Sequence, residues 1–380
     1  MLKFIIISLS LFLINCGGGG GGSVEDNSSN ATLPTVSTPT GCSVTFESGP
    51  FDKVWPGLTW ETATPESQGM CPDDINDAID YAYQEGNFTG AVVIIRNGYV
   101  VAERYASNRL ESDLVTSWSV AKSFTSALVG KALDEGLITS LDQKVSEFIR
   151  DWKGTDKEVI TLRQLMTVKT ALELLDGGDL YGADDQLQLS IDRNLIGQPG
   201  EKLYTYSNSD VMLTGQVVRS STSTSPKNYL DEKIASVIGF SGDWWQDSKG
   251  NVLTYCCLDA TPKDFGRFGL LFAREGGWKG QEILSSSWVT ESTNLALSEE
   301  YGFFWWPTPF DGFTALGVQG QIVAVYPAED LVIMRFSSYT RMGDGSTVRT
   351  GGNYHATNEP NNFDNNTFIG KVYSSLIRED

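Results

Sequence analysis

The chain has 380 residues and a single histidine, His355. A mechanism that needs a histidine base therefore has one candidate residue, and the Gly/Asn-rich stretch around it favours a surface loop. Neither a Cys-x-x-Cys motif nor a pair of neighbouring histidines occurs, so the usual ligand sets of a zinc site are missing. We expect neither a metal nor another cofactor.

Basic residues are also scarce. The 28 lysines and arginines stand against 48 aspartates and glutamates, which gives a formal net charge of −20 and a pI near 4.4. A nucleic-acid partner requires a basic surface, so this composition argues against one. Acidity of this kind more often serves solubility than recognition.

The apolar run over residues 4–14, interrupted only by two serines, is too short for a membrane-spanning helix, which needs about 20 residues. It matches the hydrophobic region of a secretory signal peptide. The run leads into Leu-Ile-Asn-Cys, which resembles a bacterial lipobox with an unusually large Asn15. We expect Cys16 to carry a lipid anchor; a plain signal peptide and an uncleaved anchor are the alternatives. Because Gly17 and not aspartate follows, the resemblance favours the outer membrane of a bacterial cell envelope, on its periplasmic or surface face.

One lysine in the chain has a serine three residues before it: Lys122, after Ser119, in the sequence Ser-Val-Ala-Lys. Residues three apart lie on the same face of a helix, so this spacing places a hydroxyl beside an amine. An amine kept neutral by burial or by neighbouring charge can accept the hydroxyl proton and create a nucleophile. The alternative is that Ser119 is an ordinary N-cap, because serine is favoured there and apolar residues follow at helical spacing.

Two further segments favour the same chemistry. Tyr206 and Asn208 form the one Tyr-x-Asn sequence in the chain, after a Pro-Gly break that also fits an ordinary polar turn. The Tyr206 phenol would share proton transfer with Lys122, with its pKa lowered by the ammonium, and Asn208 would orient Lys122 or the substrate. Later in the chain, residues 315–327 and 331–336 predict a two-stranded hairpin, in which Gly320 would let a ligand approach the backbone.

The order of these three motifs resembles the serine β-lactamase and penicillin-binding-protein superfamily. The likeness is greater to its β-lactamase-related branch of class C enzymes, esterases and 6-aminohexanoate-dimer hydrolases, and it extends from about Asn87 onward. The segments 160–167 and 260–271 support it as helix openings of that branch. The resemblance implies an α/β (α+β) fold, with an antiparallel sheet flanked by helices and an inserted all-α lobe.

On that resemblance, Ser119 would be the acylated nucleophile and Lys122 its proton acceptor. Tyr206 would act as general base or acid, and Asn208 would be a positioning residue. The oxyanion hole would use two backbone N–H groups, those of Ser119 and of Gln321 on the edge strand.

One position departs from the family pattern. β-Lactamases and DD-peptidases carry Lys-Thr-Gly in the third motif, where the cation helps to hold a substrate carboxylate, whereas residues 318–320 here read Val-Gln-Gly. Loss of such a charge contact commonly costs about 2–5 kcal/mol. We therefore expect a small neutral ester or amide as substrate, unless Arg335, Arg341 or Arg349 replaces the missing lysine.

Besides Cys16 the chain has four cysteines, an even number in a protein with an export signal. Cys42 with Cys71 would attach the N-terminal extension to the first helix. Cys256 and Cys257 are adjacent, and they would close a vicinal disulfide unless one of them pairs elsewhere.

Strands early and late in the chain, with helices between them, predict one body in which the termini meet and a cleft holds Ser119. We expect a signal peptide and lipobox at 1–16, a flexible Gly/Ser/Thr-rich tether at 17–45, and a β-lactamase-related hydrolase domain at 46–380. A helical lobe would span about 141–290.

Local signals predict several elements of this domain. A helix opens at Pro72, and Asn97-Gly98 between two β-branched runs predicts a hairpin. Strands return near 302–306, where one of Trp305 and Trp306 should face inward and the other outward; core packing is the favoured role, a substrate pocket the alternative. For Trp118 a pocket wall and the core are equally favoured.

Three functions compete. The leading hypothesis is a serine hydrolase that forms a covalent acyl-enzyme on a small ester or amide. The second is a β-lactamase or DD-peptidase whose carboxylate site uses another cation. The third is a surface lipoprotein that binds a partner without catalysis, against which the combination of Ser119, Lys122 and Tyr206 argues.

Overall fold

The structure is a computed structural model that describes residues 42, 51–175, 177–201, 205–295, 301–340, 356–357, 360 and 363–377. Its helices are α1 Pro72–Ala82, α2 Ala121–Asp134, α3 Leu162–Met166, α4 Gly177–Gly182, α5 Gln186–Asp192, α6 Asn208–Thr222, α7 Pro226–Leu230, α8 Ser236–Ile238, α9 Pro262–Ala273, α10 Ser286–Ser292 and α11 Asn365–Ser374. Its strands are β1 Thr89–Arg96, β2 Tyr99–Tyr105, β3 Val115–Thr116, β4 Gly242–Trp244, β5 Leu258–Ala260, β6 Gly277–Trp278, β7 Gln281–Glu282, β8 Trp306–Pro307, β9 Phe313–Gly317, β10 Gln321–Tyr326, β11 Leu331–Ser337, β12 Tyr339–Thr340 and β13 Ala356–Thr357.

Several predictions fall outside the described residues. These are the signal peptide and lipobox with Cys16, almost the whole tether, Arg341, Arg349 and His355. Where the chain is described, no helix combines the length and the apolar character needed to cross a bilayer.

The main sheet is antiparallel and joins strands from both ends of the chain in the order β2-β1-β11-β10-β9-β8. The β1–β2 hairpin turns at Asn97 and Gly98, which both have positive φ (52° and 85°), as the Asn-Gly signal predicts. On its other edge, β1 pairs with β11, a strand from near the other end of the chain.

Alternate side chains of the central strands enter two separate cores, since successive residues of a strand point to opposite faces. Val92 and Ile94 of β1 pack with α1 and α11 on one face, while Val93 and Ile95 enter the larger core on the other. Helix α9 covers this second face. It lies close to the sheet because Gly266 and Gly269 oppose the strands, and a Cβ on Gly266 would come within 2.5 Å of Ile95.

The lobe predicted at about 141–290 is mainly helical, but it is not all-α, because strands β4 to β7 lie within it. Strands β4 and β5 join β3 in a small sheet of order β3-β5-β4. This small sheet ties residues just before Ser119 to strand β5. The helices predicted at Pro72 and in the segments 160–167 and 260–271 are present as α1, α3 and α9. The mixed fold with an antiparallel sheet flanked by helices is therefore confirmed.

Two strand predictions were wrong in detail. Residues 315–327 are not one strand, because β9 ends at Gly317 and a turn separates it from β10. Gly320 lies in that turn, with φ +76°, and not on a strand. Residues 302–305 are not in a strand either: β8 begins at Trp306, two residues after Phe304 takes a positive φ of 69°.

Candidate active site

Ser119 lies in a 3₁₀ turn, Trp118–Val120, that leads directly into α2. It is therefore not the N-cap of that helix, a position held by Val120. The preceding residue, Trp118, has φ +44°, a conformation that costs free energy for a residue with a side chain. One turn after Ser119, the amine of Lys122 lies 2.8 Å from the Ser119 Oγ. The predicted hydroxyl–amine pair is thus formed.

Lys122 is buried, with 1% of its surface exposed. Its Nζ also donates to the main-chain carbonyl of Tyr255 at 2.7 Å, and it lies 4.8 Å from the ring centre of Tyr206. Burial holds the pKa of Lys122 well below its usual range. No carboxylate in the described part of the chain forms an ion pair with it. A neutral amine with a free lone pair can accept a proton from Ser119.

Tyr206 reaches the same serine from the segment that precedes α6. Its phenol and the Ser119 hydroxyl share a side-chain hydrogen bond. Burial raises the pKa of the Tyr206 phenol above its usual value, and the hydrogen bond from Ser119 offsets only part of this rise. The lowered phenol pKa predicted from the sequence was therefore wrong. The reason is that burial of the phenol outweighs its hydrogen bond with Ser119.

Asn208 is the first residue of α6, one position after the N-cap Ser207. Its side-chain Oδ1 is buried and makes no hydrogen bond to any described residue. Lys122 donates to Ser119 and Tyr255, so the structure does not pair Asn208 with the amine. Of the two predicted roles, orientation of Lys122 therefore receives no support.

The third motif approaches Ser119 through the end of β9. Gly317 lies so close to the carbonyl of Ser117 that a Cβ there would be 2.4 Å from it. Gln321 is on β10, which is flanked by β9 and β11, so its predicted location on the edge strand was wrong. Its side-chain Oε1 accepts from the N–H of Ser337 at 3.0 Å, away from the nucleophile.

Arg335 supports this turn from behind and is completely buried on β11. Burial lowers the pKa of its guanidinium to about 9, which leaves it protonated at neutral pH. It has no carboxylate partner within the described ranges, and oxygen acceptors surround it instead. These acceptors are the carbonyls of Asn87, Gln319 (2.7 Å) and Gly320 (3.0 Å) and the hydroxyls of Thr89 (3.1 Å) and Ser337 (2.7 Å). The guanidinium is therefore engaged inside the protein.

Aromatic side chains surround the Ser119 region. Trp306 is partly exposed and its ring lies 5.8 Å from that of Tyr206, whereas Trp305 is fully buried against Phe268 and Phe272. The prediction that one tryptophan faces inward and one outward is confirmed. Trp118 is partly buried against the core, and its ring centre lies 6.4 Å from that of Tyr181 and 6.2 Å from that of Trp245.

Both predicted disulfides are formed. Cys42 pairs with Cys71 at the start of α1, and Cys256 pairs with its neighbour Cys257. The second pair immediately follows Tyr255, whose carbonyl binds Lys122. Sequence reasoning missed Tyr255, because a main-chain carbonyl carries no residue-type signal; the adjacent cysteines were the one unusual mark of this segment.

The Ser119 hydroxyl, the Lys122 amine and the Tyr206 phenol thus meet in one place, as the first two sequence motifs predict. A family model described as Beta-lactamase matches residues 75–351, more than half of the chain. The chain belongs to the beta-lactamase family. The family prediction is confirmed, and the protein is a hydrolase of the β-lactamase superfamily.

The proteins similar to this β-lactamase-family chain include a 6-aminohexanoate-dimer hydrolase, a carboxylesterase and a class C β-lactamase. A 6-aminohexanoate-dimer hydrolase of Paenarthrobacter ureafaciens is 23% identical over 299 residues, which cover 67% of this chain and 74% of that protein. A family VIII carboxylesterase structure has a TM-score of 0.61 at 16% identity, covering 83% of this chain and 99% of its own. A class C β-lactamase of Rhodobacter sphaeroides has a TM-score of 0.58 at 17% identity, covering 80% and 98%. These structural likenesses support the fold.

Proposed function

We propose that the protein is a serine hydrolase that cleaves a small neutral ester or amide through a covalent acyl-enzyme on Ser119. One observation carries the proposal: the Ser119 hydroxyl lies 2.8 Å from the amine of Lys122, whose pKa is held well below its usual range by burial. An amine that was merely structural would instead gain from a carboxylate partner or from exposure to water.

Acylation begins when the Lys122 Nζ accepts the Ser119 proton and the Ser119 Oγ forms a bond to the substrate carbonyl carbon. The carbonyl oxygen then carries negative charge. Its donors are the backbone N–H of Ser119 and a second N–H at the end of β9, for which Val318 is the candidate. The close contact between Gly317 and Ser117 supports this choice over Gln321. Each such donor typically contributes a factor of roughly 100–1,000.

Collapse of the tetrahedral intermediate breaks the bond to the leaving group. The Tyr206 phenol, which is protonated because its pKa is raised, donates the proton that the departing alkoxide or amine requires. The Lys122 ammonium then reprotonates Tyr206, since both groups hydrogen bond to the same serine. A water molecule then takes the place of the leaving group and attacks the carbonyl carbon of the acyl-enzyme. The same proton transfers run in reverse, the bond to the Ser119 Oγ breaks, and the carboxylic acid is released.

Among the described residues of the third motif, the lack of a cation that could bind a substrate carboxylate supports a neutral substrate. The third motif has no lysine, and Arg335, the replacement that the structure describes, binds main-chain carbonyls inside the turn. The relatives named as a 6-aminohexanoate-dimer hydrolase and as a carboxylesterase support an amide or ester. The buried Oδ1 of Asn208 offers an acceptor for a substrate N–H.

The covalent step can be tested with a fluorophosphonate probe and intact mass measurement. One adduct on wild-type protein, mapped to Ser119 and absent from Ser119→Ala and Lys122→Ala, is expected. Ser126→Ala is the control, because Ser126 is a buried serine on α2, one turn beyond Lys122, and has no part in the proposed chemistry. Folded wild-type protein that takes no label would reject the proposal in favour of a binding protein.

The substrate class can be tested by comparing p-nitrophenyl esters and a linear amide with nitrocefin. We expect ester or amide turnover to exceed nitrocefin hydrolysis by at least tenfold in kcat/KM. Faster nitrocefin turnover would replace the neutral-substrate assignment with a β-lactamase.

We also propose that Cys16 is lipidated and that residues 17–45 tether the hydrolase to a bacterial membrane, the outer membrane in a Gram-negative cell. The lipobox-like sequence and the six glycines after Cys16 support this. Metabolic labelling with an alkyne fatty acid should mark the wild-type protein and not Cys16→Ala. Equal labelling of both would contradict lipidation at this residue.

A further inference from the structure

The segment 254–258 holds the nucleophile in place through main-chain groups. Five of its hydrogen bonds go to residues of the turn that carries Ser119, to the residue before that turn, or to the helix that follows it. In chain order they join Thr254 O to Thr125 Oγ1 (2.7 Å), Tyr255 O to Lys122 Nζ (2.7 Å), Cys257 N–H to Trp118 O (3.2 Å) and Leu258 to Ser117 in both directions (2.8 and 2.9 Å).

Two residues of this contact adopt backbone conformations that side chains disfavour. Cys257 has φ +70° and Trp118 has φ +44°, and the hydrogen bond from Cys257 N–H to Trp118 O joins them directly. Such conformations cost about 1–3 kcal/mol each and persist where surrounding structure fixes them. Here the covalent link between adjacent side chains closes a small ring that includes the peptide unit between Cys256 and Cys257.

The vicinal disulfide contributes little to overall stability by the usual route. A disulfide stabilises a protein mainly by restricting the unfolded chain, and this restriction grows with the length of the loop that the bond closes. Two adjacent cysteines close almost no loop. The Cys42–Cys71 disulfide, in contrast, spans 29 positions. Both Cys256 and Cys257 are fully buried, and the carbonyls of both are bound by the Trp244 and Trp245 segment. What this bond constrains is the local backbone, and that backbone bears the acceptor of Lys122.

We propose that the Cys256–Cys257 disulfide is a positioning element for catalysis. It fixes the carbonyl of Tyr255 and the contact to Trp118, and it thereby holds the Lys122 amine against the Ser119 hydroxyl. This inference rests on the proposed function of Ser119 and Lys122. Opening the disulfide lets residues 255–257 relax, which separates the two reacting groups without removing either. Displacements of about 1 Å between reacting groups can lower rates by up to about 100-fold.

Reduction by a dithiol provides a direct way to open the bond. A thiolate of the reductant attacks one sulfur, and its second thiol resolves the mixed disulfide. The reductant leaves as a cyclic disulfide, having transferred two electrons and two protons, and Cys256 and Cys257 each gain an S–H. Reoxidation reverses the change.

The test uses three forms of the full chain and a p-nitrophenyl ester. Cys42→Ser/Cys71→Ser keeps only the vicinal disulfide among the described cysteines, and Cys256→Ser/Cys257→Ser keeps only the distant one. We expect kcat to fall about 10- to 100-fold in the second variant with KM within about twofold, and to stay within about twofold of wild type in the first. Dithiothreitol should slow the first variant, reversibly on reoxidation, and leave the second unaffected.

A rescue variant separates positioning from general damage. Glycine accepts φ +70° without a ring, so Cys256→Ser/Cys257→Gly should recover part of the lost kcat. Unchanged kcat in Cys256→Ser/Cys257→Ser, with folding confirmed by circular dichroism, would overturn the inference. If that variant does not fold, alkylation and mass measurement identify reduced Cys42→Ser/Cys71→Ser protein, and full activity with both vicinal thiols free would overturn it equally. Absence of hydrolysis and of fluorophosphonate labelling in wild type would instead reject the proposed function itself.

Discussion

Lys122 and Arg335 are both buried basic residues without a carboxylate partner among the described residues, yet their surroundings differ. Lys122 donates to two oxygen atoms, those of the Ser119 hydroxyl and the Tyr255 carbonyl. Arg335 donates to five, which belong to the turn before β10, to strands β1 and β11, and to Asn87 just before β1.

The difference shows that burial alone does not make a base. The pKa of an ammonium starts near 10.5, and burial of Lys122 holds it well below that value, which favours the neutral amine. A guanidinium is weakly hydrated and starts from a higher pKa, so Arg335, with five acceptors around it, keeps its charge. On the proposed function the lysine acts on Ser119, while the arginine holds the turn that follows β9.

The strongest test of this comparison exchanges the cation at position 122. Lys122→Ala and Lys122→Arg should each lower kcat/KM by roughly 10³–10⁴-fold, because arginine cannot release its proton and alanine has none to exchange. Ester hydrolysis measures the effect, and circular dichroism confirms the fold. More than a tenth of wild-type activity in Lys122→Arg would contradict a neutral-amine base.

A second test removes the phenol but keeps the ring beside Lys122. Tyr206→Phe should lower kcat about 100-fold, since the leaving group loses its proton donor while the amine stays desolvated. Esters with a good leaving group, such as p-nitrophenol, should be affected less than amides of the same acyl group. Equal losses on both substrates would indicate that Tyr206 only shapes the pocket.

The pH dependence should report the same two groups. Protonation of Lys122 removes the base, so kcat/KM should fall about tenfold per pH unit below its lowered pKa and recover as the pH rises. The pKa of Tyr206 is raised, so its proton should remain up to about pH 10 or beyond. An alkaline loss near pH 8 that disappears in Tyr206→Phe would contradict the assigned acid role.

The smallest effect on catalysis is expected at the arginine. Arg335→Met should lower kcat only about three- to tenfold but reduce the free energy of unfolding by about 3–5 kcal/mol, because several buried acceptors lose their donor. Arg104→Met is the matched control on the same sheet, since its ion pair with Asp80 is exposed and should change stability by less than about 1 kcal/mol. Urea unfolding measures both, and similar values for the two variants would contradict the bracing role.

Local sequence patterns predicted the parts of the site that depend on short spacing. Ser119 and Lys122 are brought together by one helical turn, and the Asn97-Gly98 hairpin and the α1 start at Pro72 follow from turn and capping chemistry. These features need no information from the rest of the chain.

Long-range packing decided what the sequence left open or misassigned. The break between β9 and β10 coincides with a turn held by Arg335, which is 15 residues beyond Gly320 and reads locally as an ordinary strand residue. The direction of the Tyr206 pKa shift depends on how deeply the phenol is buried and on its hydrogen bond with Ser119. Neither quantity can be obtained from spacing.

The start and the end of the described body lie side by side, because the Phe51 ring lies against Gly69, Cys42 is bonded to Cys71, and residues 69–71 pair with the last described residues. Met70 bridges to Leu376, the N–H of Cys71 donates to the carbonyl of Ser375, and Ile377 donates back to Gly69. A short peptide could therefore join the two ends and new termini could be opened at an exposed loop elsewhere. A circularly permuted enzyme built in this way would keep its catalytic groups while moving its attachment point to any chosen side of the molecule.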